Sequence, residues 1–383
     1  MNARPGSIGP MSGYPHGVRA AVLTAAETLG VQSFPVPPVG DDDALVRVEV
    51  CGLGGSDVTQ YLGKLRPSST VYPVILGHVF VGVVDTIGAR AARRWRVAPG
   101  DRVVVEAIVP CWACRHCVSG RYSLCDAGED LLRYGLISAD REPSLWGGFA
   151  ELAFVPRGAL LHKVSAAAPL DALALVNSIA SGIRWGADLP GFRPGETGLV
   201  LGPGQRGLAT ALAMIRAGAD KVIMTGRSSD AHKLEVAKRW GVDVTVDIDR
   251  EDVVDVVRQV TGGAMADVVV DASAVATQPV TDAIKAVRKD GRIVLIGLKR
   301  GDPIPGLVTD ELIYKGVTVI GAMAADYSSF ERACRLIERD GDLIALANTH
   351  AFVLGEVEAA IRTLAGDVPG TRAIGVSIEP GRA

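Results

Sequence analysis

The chain has 383 residues, 48% of them hydrophobic and 22% charged, which excludes disorder as the main state and calls for two or three domains. Forty basic residues against 43 acidic ones leave a formal net charge of -3, and aromatic residues are only 5%, so neither a basic nucleic-acid surface nor an aromatic stacking platform is expected. Gly 45 and Pro 21 argue against a helical bundle and for many tight turns.

Residues 1–18 are rich in Gly, Pro and Ser and read as a flexible tail, with Met11 as an alternative start. They contain no apolar h-region, so a secretory signal is not expected and the cytoplasm is the default location. The longest apolar stretch, Val71 to Val84, is interrupted by Pro73 and His78 and falls short of the roughly 20 residues that cross a bilayer.

Ordered sequence begins near Arg19 with AAVLT. ALVRVEV (44–50), FVGVVDTIG (80–88) and DRVVVEAIV (101–109) follow as short β-rich runs, the pattern of an irregular antiparallel β domain. From about Ser181 the rhythm changes. TGLVLG (197–202) reads as a strand and LATALAMIRAG (208–218) as a helix with Gly218 near its C-cap. KVIMTG (221–226), a helix at 231–240, DVTVD (243–247), EDVVDVVRQVTGG, ADVVVDAS, GRIVLIG and VTVIGAM continue the alternation. Such βαβ units predict a doubly wound parallel sheet, hence an α/β fold. The tail from about Ala325, with helices at 329–339 and 355–365 and a last strand AIGVSI, is too short for a domain and is expected to rejoin the first one.

GPGQRG at 202–207 fits G-x-G-x-x-G between an apolar strand and an amphipathic helix. Gly202 permits the tight turn, Gly204 lets backbone approach a pyrophosphate, and Gly207 allows close helix–strand packing at a helix N-terminus. The loop predicts dinucleotide binding by Gly202, Gly204, Gln205, Arg206 and Gly207, with Gly297 and Leu298 on a later turn. An NAD site places an acid about 20 residues on, to accept from the ribose hydroxyls. Gly226, Arg227 and Ser228 stand there instead, which favours NADP(H) through a 2′-phosphate contact and leaves NAD(H) possible.

Four of the six cysteines, Cys111, Cys114, Cys117 and Cys125, are spaced C-x2-C-x2-C-x7-C. Clustered thiolates in a chain without a secretory signal favour a tetrahedral structural zinc with no open position. Two disulfides or an iron–sulfur cluster are the competing readings. His116, inside the lobe, is expected to be a bystander.

With that lobe, with GHVFVGVVDTIG (77–88) matching G-H-E-x2-G-x5-G, and with GPGQRG in its βαβ setting, the chain resembles the medium-chain dehydrogenase/reductases of the zinc-type alcohol dehydrogenase branch. The resemblance covers nearly everything after the tail. It implies a GroES-like catalytic domain at 19–178, completed by 325–383 and carrying the zinc lobe at 107–127. A Rossmann domain would occupy 179–324, with substrate and nicotinamide between the two domains. A homodimer or homotetramer acting on a small-molecule substrate, with neither nucleic acid nor membrane as partner, goes with it.

The sequence also departs from that family. Its catalytic zinc is held by a Cys in G-[LIV]-C-x-[ST]-D, by the His of G-H-E and by a later Cys or Glu. The matching stretch here is Gly52-Leu53-Gly54-Gly55-Ser56-Asp57, so Gly54 stands at the Cys position. His78 remains, the neighbouring Glu is Val79, and the third position falls near Asn177. A catalytic zinc needs three protein ligands and a water, so this metal is expected to be absent, Cys51 being a poor substitute because an odd offset along a strand reverses its direction. Proton donors are then sought among Ser56, which matches the family's relay hydroxyl, His78 oriented by Asp57, and Tyr61; Gly54, Val79, Trp146 and Asn177 are the candidate walls of the substrate pocket. The leading expectation is an NADPH-dependent reductase of a polarised C=C, C=N or C=O bond without a catalytic zinc. A zinc alcohol dehydrogenase with other ligands and a non-catalytic nucleotide-binding paralogue are the alternatives.

Overall fold

Every residue of the Thr197–Leu201 strand is buried, because helices cover both faces of the sheet it enters. That sheet has six parallel strands in the order Val244–Asp247, Lys221–Gly226, Thr197–Leu201, Ala266–Asp271, Val287–Leu295 and Thr318–Gly321. Numbered along the chain this is 3-2-1-4-5-6, the Rossmann arrangement, with the first strand central and a switch point at its carboxyl end. The computed structural model describes residues 14–65, 71–128 and 131–382. Most of the expected tail, Met11 included, lies outside the described residues.

The valine-rich runs of the N-terminal half form a second sheet of seven strands. Leu161–Lys163, Arg102–Val105, Phe80–Ile87 and Ala44–Leu53 are followed by Gly375–Glu379 and Asn348–Val353, and Leu152–Val155 also pairs with Ala44–Leu53. The last strand thus returns from the far end of the chain: Val376, Ser377 and Ile378 pair antiparallel with Leu53, Gly52 and Cys51. A small sheet of Thr28–Phe34, Val18–Ala25 and Val74–Ile75 packs beside it.

Local departures from the expected elements have visible causes. DRVVVEAIV splits into Arg102–Val105 and Ile108–Val109 around Glu106, which turns inward to accept hydrogen bonds. The helix expected from 208 starts at Gln205, directly on the glycine turn, and ends before Gly218, whose φ of +90° suits glycine. The expected boundary at 178/179 falls inside the helix Val176–Ile183. That helix touches Gln205–Arg216 closely; a Cβ on Gly182 would lie 2.4 Å from the Ala209 carbonyl. Ser178, next to Asn177, donates through Oγ to Gln205 Oε1 at 3.2 Å, so the two helices also meet at their N-terminal ends.

Candidate active site and metal centre

Strand Ala44–Leu53 ends where Gly54 caps the short helix Gly55–Tyr61. Asp57 folds back to close that turn: Oδ2 accepts from the Gly54 N–H at 2.9 Å and Oδ1 from the Gly77 N–H at 3.4 Å. The His78 Nδ1 lies 3.5 Å from Asp57 Oδ2, and the Asn177 amide Nδ2 lies 3.1 Å from His78 Nε2. Asp57 is buried, His78 is partly exposed and Ser56 is exposed. Burial alone would raise the Asp57 pKa, but attraction to His78 and three hydrogen bonds outweigh it and hold the carboxyl below its ordinary range.

Gly54 looks directly into this group. A Cβ there would lie 3.6 Å from His78 Cε1, from Asp57 Oδ2 and from Ser56 Oγ, in ordinary contact and with an unstrained φ of -117°. A side chain at this position would therefore project toward His78, and the residue present has none. The imidazole Nε2 faces an amide N–H, which repels a cation. One imidazole beside a glycine and a donating amide does not match the three-ligand set of a catalytic zinc. Cys51 does not complete it, since its thiol is fully buried and donates to the Val79 carbonyl at 3.2 Å.

Three sequence-based candidates lie elsewhere. The Tyr61 hydroxyl donates to Glu358 Oε1 at 3.0 Å on the C-terminal helix Val357–Ala365, so it serves a packing contact outside the His78 group. Trp146 is core, with Nε1 donating to the Arg141 carbonyl and its ring against Tyr134 and Phe154. Val79 is buried in the hydrophobic core with Val50 and Val81.

The dinucleotide turn carries the geometry its glycines suggest. Gly202 has φ +105°, and a Cβ on Gly207 would fall 1.9 Å from the Gly202 carbonyl, so only glycine permits the contact. Nothing lies within 4 Å of the Cβ position of Gly204, leaving the N-terminus of Gln205–Arg216 open to an anion. Gly297 packs on Ser273, whose hydroxyl donates to the Leu201 carbonyl, while Leu298 is 80% exposed beside them. These features fit a nicotinamide dinucleotide.

At the end of the second strand the sequence reading missed two acids. Ser228 Oγ donates to Asp247 Oδ2 at 2.6 Å, its N–H donates to Asp249 Oδ2, and Arg227 Nε lies 3.7 Å from Asp249 Oδ1. The signal was available in DVTVDID, where the third strand ends on acids beside the second. A further group had no local signal: His162, fully buried, has Glu106 at 2.8 Å on Nε2 and Glu331 at 2.7 Å on Nδ1, while Tyr122 donates to Glu106.

The four sulfurs of Cys111, Cys114, Cys117 and Cys125 lie within 4.8 Å of one another. Peptide N–H groups already point at them, Cys114 N at Cys111 Sγ and Cys117 N at Cys114 Sγ. N–H groups of Asp126 and Cys117 lower the Cys114 pKa to about 6, whereas burial pushes Cys117 up to about 12. Four convergent thiols with preset N–H···S contacts fit a tetrahedral zinc. His116 instead faces Asp126 at 3.8 Å.

Residues 40–166 match the alcohol dehydrogenase GroES-like domain family, and residues 207–339 the zinc-binding dehydrogenase family. A probable alcohol dehydrogenase of Mycobacterium tuberculosis H37Rv is 39% identical over 92% of this chain and 96% of its own. The erythritol/L-threitol dehydrogenase of Mycolicibacterium smegmatis is 30% identical over 96% and 98%. Among solved structures, an NADP-bound protein of Sinorhizobium meliloti 1021, assigned as a zinc-binding dehydrogenase, superposes with a TM-score of 0.81 at 27% identity, covering 95% of this chain and 99% of that one.

Proposed function

The chain belongs to the zinc-type alcohol dehydrogenase branch of the medium-chain dehydrogenase/reductases, and on that premise we propose an NADPH-dependent reductase of small organic substrates that works without a catalytic zinc. The observation that carries this reading is the Cβ direction of Gly54. It aims at His78, and the residue offers no ligand.

Reduced nicotinamide, when bound, supplies the hydride. The chain's own residues must then hold the substrate and, for a neutral C=O, C=N or C=C acceptor, provide one proton; an iminium takes the hydride without one. Ser56 stands at the mouth of the group, its hydroxyl 3.6 Å from the Cβ position of Gly54. We assign it the delivery of the proton to the oxygen, nitrogen or α-carbon that gains electron density. His78 stands behind it, with Nδ1 directed at Asp57 and Nε2 at Asn177, which orients the ring and favours the Nδ1–H tautomer. With no Lewis acid, a conjugated C=C or an iminium is the preferred acceptor, because it carries its own electron sink.

For the cofactor, Arg227 with 70% of its side chain exposed supports NADPH, as does the absence of an acid at Gly226. Asp247 and Asp249 beside it favour NADH as the second choice. Among the described residues the edge strand Thr318–Gly321 has a partner on one side only, and Ile313 and Tyr314 are exposed nearby, which supports a homodimer formed across that edge.

NADPH consumption across ketones, aldehydes, enals, enones and imines, with and without chelator, tests the reading. Faster turnover of the polarised C=C and C=N compounds, insensitive to chelator, is expected. Prompt chelator inhibition coupled to fast oxidation of simple alcohols or polyols, as the names of the relatives suggest, would replace it with a zinc dehydrogenase.

A further inference from the structure

Gln205 ties the start of the dinucleotide helix to the other sheet. Its Nε2 donates to the carbonyls of Leu53, at 3.3 Å, and Ile374, at 3.0 Å, while Oε1 accepts from Ser178. These bonds fix the helix against the residue that precedes Gly54. The next side chain is Arg206, between the second and third glycines of the motif.

Arg206 stands over Trp185, its guanidinium carbon 5.4 Å from the ring centroid. Trp185 is itself immobilised: it is buried, and its Nε1 donates to the Ala324 carbonyl at 3.2 Å. The guanidinium makes no hydrogen bond or ion pair among the described residues. Its side chain is exposed to solvent, with protein atoms close by on its other sides. The resulting loss of hydration lowers its pKa, opposed by the charge of Asp57. Asp57 makes no hydrogen bond or ion pair with it; its carboxylate is directed at Gly54, Gly77 and His78. Trp185 continues the helical run that carries Asn177, and Asp57 belongs to the turn that carries Gly54. The cation is therefore carried at the start of the dinucleotide helix, over Trp185 and within the electrostatic reach of Asp57, and among the described residues it has no anion partner.

A guanidinium held flat on an aromatic ring keeps its edge N–H groups free for a planar or tetrahedral anion, and binds carboxylate or phosphate in bidentate fashion. We propose that Arg206 is a specificity residue that anchors an anionic group of the substrate, a carboxylate or phosphate ester, while the reacting carbon meets Ser56 and His78. This rests on the oxidoreductase reading above. The same chemistry is offered by the diphosphate of the cofactor, so the test must separate the two.

The matched probes are succinic semialdehyde and its methyl ester, which differ in one charge, assayed with NADPH on the wild type, Arg206→Gln and Arg206→Lys. The wild type should prefer the free acid by about tenfold or more in kcat/KM, and Arg206→Gln should reduce that preference by about 10- to 100-fold. Arg206→Lys, with the charge but not the fork, should fall between. A wild-type preference for the ester, or an acid-to-ester ratio that Arg206→Gln leaves intact, overturns the proposal. So does weaker NADPH binding by the variant, read from cofactor fluorescence, with the ratio intact, since the anion would then be the diphosphate. If neither aldehyde is reduced, the oxidoreductase reading has failed for these compounds. Succinate binding to the NADPH-loaded protein, followed by fluorescence quenching, then decides: binding lost in Arg206→Gln upholds the anion site, and no binding to the wild type removes it.

Discussion

The Asn177 amide lies 3.1 Å from Nε2 of His78, the ring nitrogen left free by the contact of Nδ1 with Asp57. The imidazole is thus gripped from two elements, one in the turn after Leu53 and one in the helix Val176–Ile183. A ring in this state is an oriented polar group.

The metal content follows from this. The wild type should hold one zinc per chain, in the cysteine lobe. A Gly54→Cys/Asn177→Cys double variant should hold two, because a Cβ at position 54 would meet only ordinary contacts and His78 would complete three ligands. Elemental analysis decides, and two tightly bound zincs in the wild type would show that the reading of Gly54 is mistaken.

The lobe should lose zinc on acidification. Zinc takes thiolates, so loading at pH 7 must expel protons, above all from Cys117, whose pKa is pushed up to about 12. Cys114, lowered to about 6, resists protonation until the pH falls through that value, below which release should steepen. A chromogenic chelator followed from pH 8 to 5 measures this; release independent of pH would contradict it. Cys114→Ser should lower zinc content and soluble yield together.

Much of this was legible in the sequence, for physical reasons. The run KVIMTG is buried at every position but its first, so continuous apolarity marked the strand at its true ends. The glycine turn and the cysteine spacing are short-range patterns, and both appear in place. What failed were side-chain directions set by distant partners. Tyr61 looked free to act as an acid, but its partner Glu358 lies 297 residues away in the chain. Trp146 and Val79 face cores that no local pattern defines. His162 sits between Glu106 and Glu331, which lie 56 and 169 residues from it.

Asp57 gives a pH dependence of stability with a definite sign. Its folded pKa lies below the ordinary 3.8, so its contribution is fully present above that value and is lost as the pH falls through the folded pKa. Asp57→Asn should therefore destabilise the protein at pH 7, by about 1–3 kcal/mol for loss of charge-assisted hydrogen bonds. The difference from wild type should shrink below about pH 4. Urea unfolding at pH 7, 5 and 3.5 checks this, and a gap that widens on acidification would contradict it.

Cofactor choice is best tested at Arg227. Gly226→Asp would be ambiguous, because a Cβ there would lie 3.0 Å from Pro203 Cγ and 3.1 Å from Leu234 Cδ2, straining the loop itself. Arg227 is a surface side chain with one long contact to Asp249. Arg227→Ala should weaken NADPH binding by about tenfold or more and leave NADH binding nearly unchanged. Fluorescence titration of both cofactors measures it. Equal affinities in the wild type would instead give Asp247 and Asp249 the ribose.

The proton is the remaining step. Ser56 is exposed at the start of a helix whose turn is fixed by Asp57, so Ser56→Ala removes a hydroxyl without disturbing a buried contact. If that hydroxyl delivers the proton, turnover should fall by about 10²–10⁴-fold, the usual contribution of a positioned acid. NADPH affinity should stay close to that of the wild type, since the dinucleotide turn lies on a different element. The loss should also depend on the substrate. A C=C acceptor, whose charge moves to a distant oxygen, needs the proton less at the moment of hydride transfer than a plain carbonyl does. Single-turnover rates for an enone and an aldehyde in the two proteins measure both effects. A variant that reduces both compounds at wild-type rate would move the proton to His78 or to solvent, and would leave Ser56 a local turn hydroxyl.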